Sequence, residues 1–222
     1  MRAMLTYAIG DIHGRHDLLR RLLEEIYGHA SGRPHRLVFL GDYIDRGPDS
    51  AAVVADVRRL QADAPGRVVA LMGNHEAMLL AAVRHPKSAA MQWLANGGLA
   101  TLASYDAAAP GDIPADVVAW MATLPTSYED EWRYFVHAGV MPGRPLSAQS
   151  EMDKIWIREP FLYNEYDFGK HVVHGHTPVR DATPECLRHR TNLDTAAVFG
   201  GALTAGIFED GQGAPQDILQ AR

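Results

Sequence analysis

Five short blocks place Asp, Asn, His and Arg where side chains of those types could meet: GDIHG at 10–14, GDYIDRG at 41–47, GNHE at 73–76, HAG at 137–139 and HGHT at 174–177. Their carboxylate, amide and imidazole donors, with no thiolate among them, suit Mn²⁺, Fe or Zn²⁺. Asp11, His13, Asp42, Asn74, His137 and either His174 or His176 give six candidate ligands, more than one open catalytic metal uses. They suit two metals about 3.5–4 Å apart, bridged by a carboxylate and a water. Asp42, central in the set, is the candidate bridge. Taken singly, each has an ordinary structural role: Asp11 caps a helix, Asn74 makes a turn, His137 packs in a core. Five separate loops imitating one site is a far stronger requirement.

Each block follows an apolar run, so each polar residue is expected at a strand end. LTYAI, DLLRRLLEEIYG, RLVFL, SAAVVADVRRLQAD and RVVALM alternate as strand, helix, strand, helix, strand, which predicts parallel strands with covering helices. In such α/β sheets, ligands bind outside the carboxyl ends of the strands, where loops distant in sequence converge. In the first helix Leu18, Leu19, Leu22, Leu23 and Ile26 form one face, and Arg20–Glu24 and Arg21–Glu25 have pairing spacing on the other. Gly28 is expected to stop that helix and Ser50 to cap the next. Residues 75–124 are expected to be mostly helical, broken by Pro86, by Asn96-Gly97-Gly98 and by 107–114. This predicts a helical insertion over about 86–124. From Tyr128 onward EWRYFV, KHVV, HRTNL and GALTAGIFEDG predict strands, with Asp210-Gly211 as a hairpin turn before a short tail. One catalytic domain over 1–222 is expected, with no internal repeat.

The chain has 222 residues, 47% of them hydrophobic, a formal charge of −6 and one cysteine, Cys186. A net negative charge without a Lys/Arg block argues against nucleic-acid or anionic-membrane partners. A single cysteine forms no internal disulfide, and no run is long and apolar enough for a signal core or membrane span. A cytoplasmic location is the default expectation.

The blocks GDIHG, GDYIDRG, GNHE, HAG and HGHT resemble, in order, the signature of the metal-dependent phosphoprotein phosphatase family. WLANGGLATLASY, WIREPF and NLDTAAVFGG further resemble small bacterial members and their bacteriophage lambda relative. The resemblance implies a calcineurin-like sandwich of two mixed β-sheets flanked by helices. It implies that Asp11 and His13 hold a first metal, Asp42 bridges, and Asn74, His137 and His176 hold a second, leaving His174 to strand packing or support of the site. Two divalent ions, Mn²⁺ foremost, are expected. Arg46 would grip phosphate through its planar fork, with Arg158 as a second arginine. His75 would be the general acid, and Asp45 would hold its ring.

By this resemblance the chain is expected to be a phosphomonoesterase, a serine/threonine protein phosphatase, working by direct attack of a hydroxide bridging two metals. Its partner would be a phosphoprotein or a phosphorylated small molecule. A diadenosine tetraphosphate hydrolase shares the same blocks and is the alternative; the NGG block and compact length favour the former. A noncatalytic metal-binding scaffold is disfavoured because every expected ligand, His75, Asp45 and Arg46 are present. Outside the resemblance, Asp45 and Arg46 could form a local ion pair. Asp17, Asp49 and Glu76 are expected at helix termini. His16, His29, His35, His85, His171 and His189 receive no site role. Asp194 is expected to brace the site, in a segment reading DTAA where related sequences tend to read DTGA.

Overall fold

The computed structural model describes residues 4–222. The expected strand–helix alternation is realised as β1 (Leu5–Ile9), α1 (His16–Ala30), β2 (His35–Phe39), α2 (Ser50–Asp63) and β3 (Val68–Ala70). Helices α3 (Asn74–Arg84), α4 (Pro86–Trp93), α5 (Leu99–Ser104) and α6 (Ala115–Met121) follow, with a kink over Leu94–Gly98 between α4 and α5. Strands β4 (Ser127–Glu129) and β5 (Arg133–Val136) lead to α7 (Glu151–Trp156) and α8 (Glu159–Leu162). The chain closes with β6 (His171–His174), β7 (Glu185–Cys186), β8 (Arg190–Asn192), β9 (Leu203–Glu209) and β10 (Asp217–Ala221).

The strands form two mixed sheets, ordered β10-β9-β1-β2-β3 and β4-β5-β6-β8-β7. β1, β2 and β3 run parallel in the first sheet, and β5, β6 and β8 in the second. Ala8, Val38, Leu40, Leu71 and Phe208 meet Phe135, Val173 and Leu193 in one buried layer where the sheets face each other. The opposite face of the first sheet packs Tyr7, Ile9 and Phe39 against the apolar stripe of α1 and Val53, Val54 and Val57 of α2. Tyr134, Val136 and Val172 of the second sheet pack with Phe161 of α8. Being covered on both sides, β1 is buried at every residue, which is why it reads as a continuous apolar run.

Several local expectations are corrected. α1 does not stop at Gly28; it continues to Ala30, and Ser31 closes it in the left-handed conformation. Arg20–Glu24 and Arg21–Glu25 are not among the ion pairs of the described residues, and Arg21 donates instead to the carbonyl of Arg222. Ser50 lies inside α2, whose cap position is Asp49, and its hydroxyl accepts from the Asp45 amide. The hairpin turn expected at Asp210-Gly211 is present, beginning the 210–216 connection from β9 to antiparallel β10, but the short tail expected after it forms a strand that its sequence does not announce. Among the described residues no helix is long and apolar enough to cross a membrane.

Candidate metal centre

Every block sits where a parallel strand ends. β1 delivers Asp11 and His13, β2 delivers Asp42, Asp45 and Arg46, and β3 leads through Gly73 to Asn74 and His75 on the first turn of α3. From the other sheet β5 delivers His137 and β6 delivers His176. The carboxyl ends of both parallel cores therefore face one place, and Asp11, His13, Asp42, Asn74, His75, His137 and His176 are all buried there.

Asp42 is the hub. Its Oδ1 accepts from the His75 amide at 3.0 Å, while Oδ2 lies 3.4 Å from His13 Nε2, 3.5 Å from His137 Nε2 and 3.9 Å from His75 Nε2. His13 Nδ1 is 2.8 Å from the Ile44 carbonyl and His137 Nδ1 is 2.9 Å from the Leu40 carbonyl. A carbonyl only accepts, so both rings carry their proton on Nδ1 and turn an Nε2 lone pair toward the Asp42 carboxylate. Asn74 Oδ1 lies 2.9 Å from His137 Nε2 and 2.8 Å from His176 Nδ1. The Nε2 lone pairs of His13 and His137 meet the Asp42 and Asn74 oxygens in a buried pocket, as donors do around a cation: His13, Asp42 and His75 form one group able to hold a metal, and Asp42, His137 and His176 form another.

Asp11, expected beside His13, lies outside both groups; its carboxylate accepts from the His176 amide at 3.1 and 3.2 Å. His75 stands in the first group in its place. His174 is fully buried beside Arg190, 3.2 Å from its Nη1, and belongs to neither group. Asp194 is buried next to Asp11 and raises its pKa, with Gly175 between them: a Cβ there would lie 2.1 Å from Asp11 Oδ1. Gly73 is equally constrained, since a Cβ would come 2.2 Å from Asp42 Oδ1.

Electrostatically the pocket asks for positive charge. Burial, then Asp194 and Asp42, push the Asp11 carboxyl well above the usual range, and burial followed by Glu76 does the same to Asp42. Burial holds His137 down at about 3 and His176 at about 2, so these imidazoles are neutral, as ligands must be. Burial lowers His75 to about 3 and raises Asp45 to about 7. The 2.7 Å contact of His75 Nδ1 with Asp45 Oδ2 places the proton shared by this pair between those two atoms. Asp45 does not pair with Arg46. The two arginines instead flank the cluster, Arg46 Nη1 donating to His13 Nε2 and Arg158 Nε donating to His176 Nε2 at 3.2 Å. The Arg46 guanidinium also lies 5.5 Å from the ring of Phe199, which is 66% exposed.

Four supporting residues are not assigned by sequence. Glu76 is buried and its carboxylate accepts from the amides of Asp42, Tyr43 and Gly73 at 2.9, 2.8 and 3.0 Å. Its place three residues after Gly73 is the capping-box pattern, a signal for the last bond but not for the other two. Trp93 and Thr101 donate to Asp45, and the need of a buried carboxylate for donors is the only sequence-level hint of them. Phe199 has no comparable signal.

The calcineurin-like phosphoesterase profile matches residues 4–201. The serine/threonine-protein phosphatase 1 of Salmonella typhimurium (strain LT2) is 31% identical over 208 residues, covering 90% of this chain and 89% of that protein. The asymmetrical bis(5'-nucleosyl)-tetraphosphatase PrpE of Bacillus thuringiensis (strain Al Hakam) is 31% identical over 227 residues, covering 89% and 87%. Among solved structures, the cold-active protein-tyrosine phosphatase of a Shewanella species superposes with a TM-score of 0.67 over 100% of this chain and 83% of that one, at 18% identity. With its two facing sheets, its strand-end histidines and carboxylates and a match over most of its length, the chain belongs to the calcineurin-like phosphoesterase family.

Proposed function

We propose that the chain is a metal-dependent hydrolase of dinucleoside polyphosphates of the diadenosine tetraphosphate type. The observation that carries this is the pair of arginines on opposite flanks of the buried cluster, Arg46 at His13 and Arg158 at His176. One phosphoryl group can engage both forks, and a polyphosphate chain offers each arginine further anionic oxygens. Phe199, exposed beside Arg46, adds an aromatic face of the kind on which nucleobases stack. The PrpE relative supports the same substrate class. Protein phosphatase activity is the second reading, favoured by the Salmonella relative.

In the assignment the resemblance implies, Asp11 would join His13 and Asp42 in holding one divalent ion, leaving His75, grouped with those two in this structure, to face the substrate; Asp42, Asn74, His137 and His176 would hold a second, and Mn²⁺ suits these donors, as do Fe and Zn²⁺. Two such ions, when bound, supply Lewis-acid charge and bring the pKa of water toward ~7. Arg46 and Arg158 bind and orient phosphate oxygens. His75 turns Nε2 to the cluster and gives a proton to the departing oxygen, a contribution of about 10²–10⁴ in rate for a poor leaving group. Asp45 fixes that ring through Nδ1, and together with the substrate's negative charge it favours the imidazolium.

The test compares kcat/KM for diadenosine tetraphosphate and for a phosphoserine/phosphothreonine peptide on one Mn²⁺-loaded preparation, with chelated protein as blank. We expect a preference of about tenfold or more for the dinucleotide and none of either activity after chelation. A peptide preference would put the second reading first, and inactivity on both would leave a metal-binding scaffold.

A further inference from the structure

Asp45 is fully buried, and its carboxylate is surrounded by donors. Trp93 Nε1 lies 2.9 Å from Oδ2 and 3.1 Å from Oδ1, Thr101 Oγ1 donates to Oδ1 at 2.6 Å, and His75 Nδ1 meets Oδ2 at 2.7 Å. The Asp45 amide in turn donates to Thr101 Oγ1 at 2.9 Å. Trp93 and Thr101 are themselves wholly buried, and they come from the helical segment 86–124, not from the sheets.

Between them the chain kinks over Leu94–Gly98, where Gly97 takes φ 106°. The Gly97 carbonyl accepts from the Arg46 amide at 3.1 Å, and a Cβ on Gly98 would lie 2.6 Å from the Trp93 ring. Glycine takes this left-handed conformation without the clash a Cβ would bring, so the helical path breaks and changes direction at Gly97. Here the interruption lets the end of α4 and the start of α5 both reach one carboxylate.

We propose that Trp93 and Thr101 are positioning residues: acting through Asp45, they fix the His75 ring so that Nε2 meets the oxygen of the leaving group. This rests on His75 being the proton donor. A carboxylate without these donors could rotate away from Nδ1 and release the ring, whereas the metal-holding atoms of His13, Asp42, His137 and Asn74 would stay in place. The insertion is thereby part of the proton-delivery apparatus and not merely a wall of the site.

Trp93→Phe and Thr101→Val remove one donor each and keep the side chain's approximate shape; Thr101→Ser keeps the hydroxyl. Each variant, with His75→Asn as reference, is assayed on phenyl phosphate, a poor leaving group, and on 2,4-dinitrophenyl phosphate, a good one. Mn²⁺ stoichiometry is read by titration calorimetry and the fold by circular dichroism. We expect kcat on phenyl phosphate to fall about 10–100-fold in Trp93→Phe and Thr101→Val, with KM and metal stoichiometry unchanged. The dinitrophenyl ester should be cut within about twofold of the parent rate, as leaving groups of low pKa need little protonation, and Thr101→Ser should restore the lost rate. Equal losses on both esters, a lost metal, or no loss while His75→Asn is selective would overturn the positioning role. If His75→Asn shows no leaving-group selectivity, the proton-donor assignment fails first, and the positioning role with it.

Discussion

Asp42 receives one amide on Oδ1 and offers Oδ2 to three imidazoles, and it does so from φ 54°. It is not alone in that conformation: His13, Asp45, Arg46 and His176 also have positive φ, at 46, 73, 69 and 68°. Left-handed backbone disfavours residues with a Cβ and persists where surrounding contacts over-determine it. Glu76 supplies part of that determination by accepting three amides around Asp42 and Gly73. Glu76→Ala would orphan all three, and we expect a loss of about 2–5 kcal/mol in urea unfolding, with Glu76→Gln milder; an unchanged midpoint would refute the bracing role. That these strand-end residues gather in one buried cluster was legible because five such blocks, each after an apolar run, are hard to account for separately. The donors to Asp45 were not, since they lie 48 and 56 residues along the chain and no local period links them to it. At Ala196, where the resemblance leads one to expect glycine, the backbone takes the left-handed φ 60°.

Among the elements, the long apolar strands and amphipathic α1 and α2 were legible from period alone, while β4 and β7, three and two residues long, carry no period to detect. The end of α1 was misjudged because Gly28 is exposed and unstrained, so nothing compels the helix to stop there. β6 opens with His171, whose ring lies 2.8 Å from the Thr191 hydroxyl of neighbouring β8. Burial lowers His171 from the ordinary 6.5 to about 4. Its folded form thus takes up a proton less readily than its unfolded form, so this contribution is intact above pH 6.5 and is lost as pH falls from 6.5 toward 4. His171→Gln should flatten the dependence of Tm on pH across that window in melts at several pH values. An identical slope in parent and variant would contradict this.

At the scale of the whole molecule, a chain of formal charge −6 keeps two arginines beside its buried carboxylates, so attraction for an anion is local and not a property of the overall field. Composition could not name a substrate, which under the proposed function depends on what Arg46, Arg158 and Phe199 jointly face. The resemblance of five blocks supplied the two-sheet architecture, which periodicity alone reduced to an α/β rhythm. One feature of that architecture bears on synthesis. β9 pairs with β1, and Thr204 accepts from the Gly10 amide at 3.0 Å, while Leu193 closes over Gly10. On the ribosome, β1 to β3 can pair first, but β1 keeps an open edge until residues 203–209 emerge. A chain ended after Gly200 should therefore be cut rapidly by protease and bind no Mn²⁺ in calorimetry. The nascent protein would stay unable to capture metal until β9 had been made.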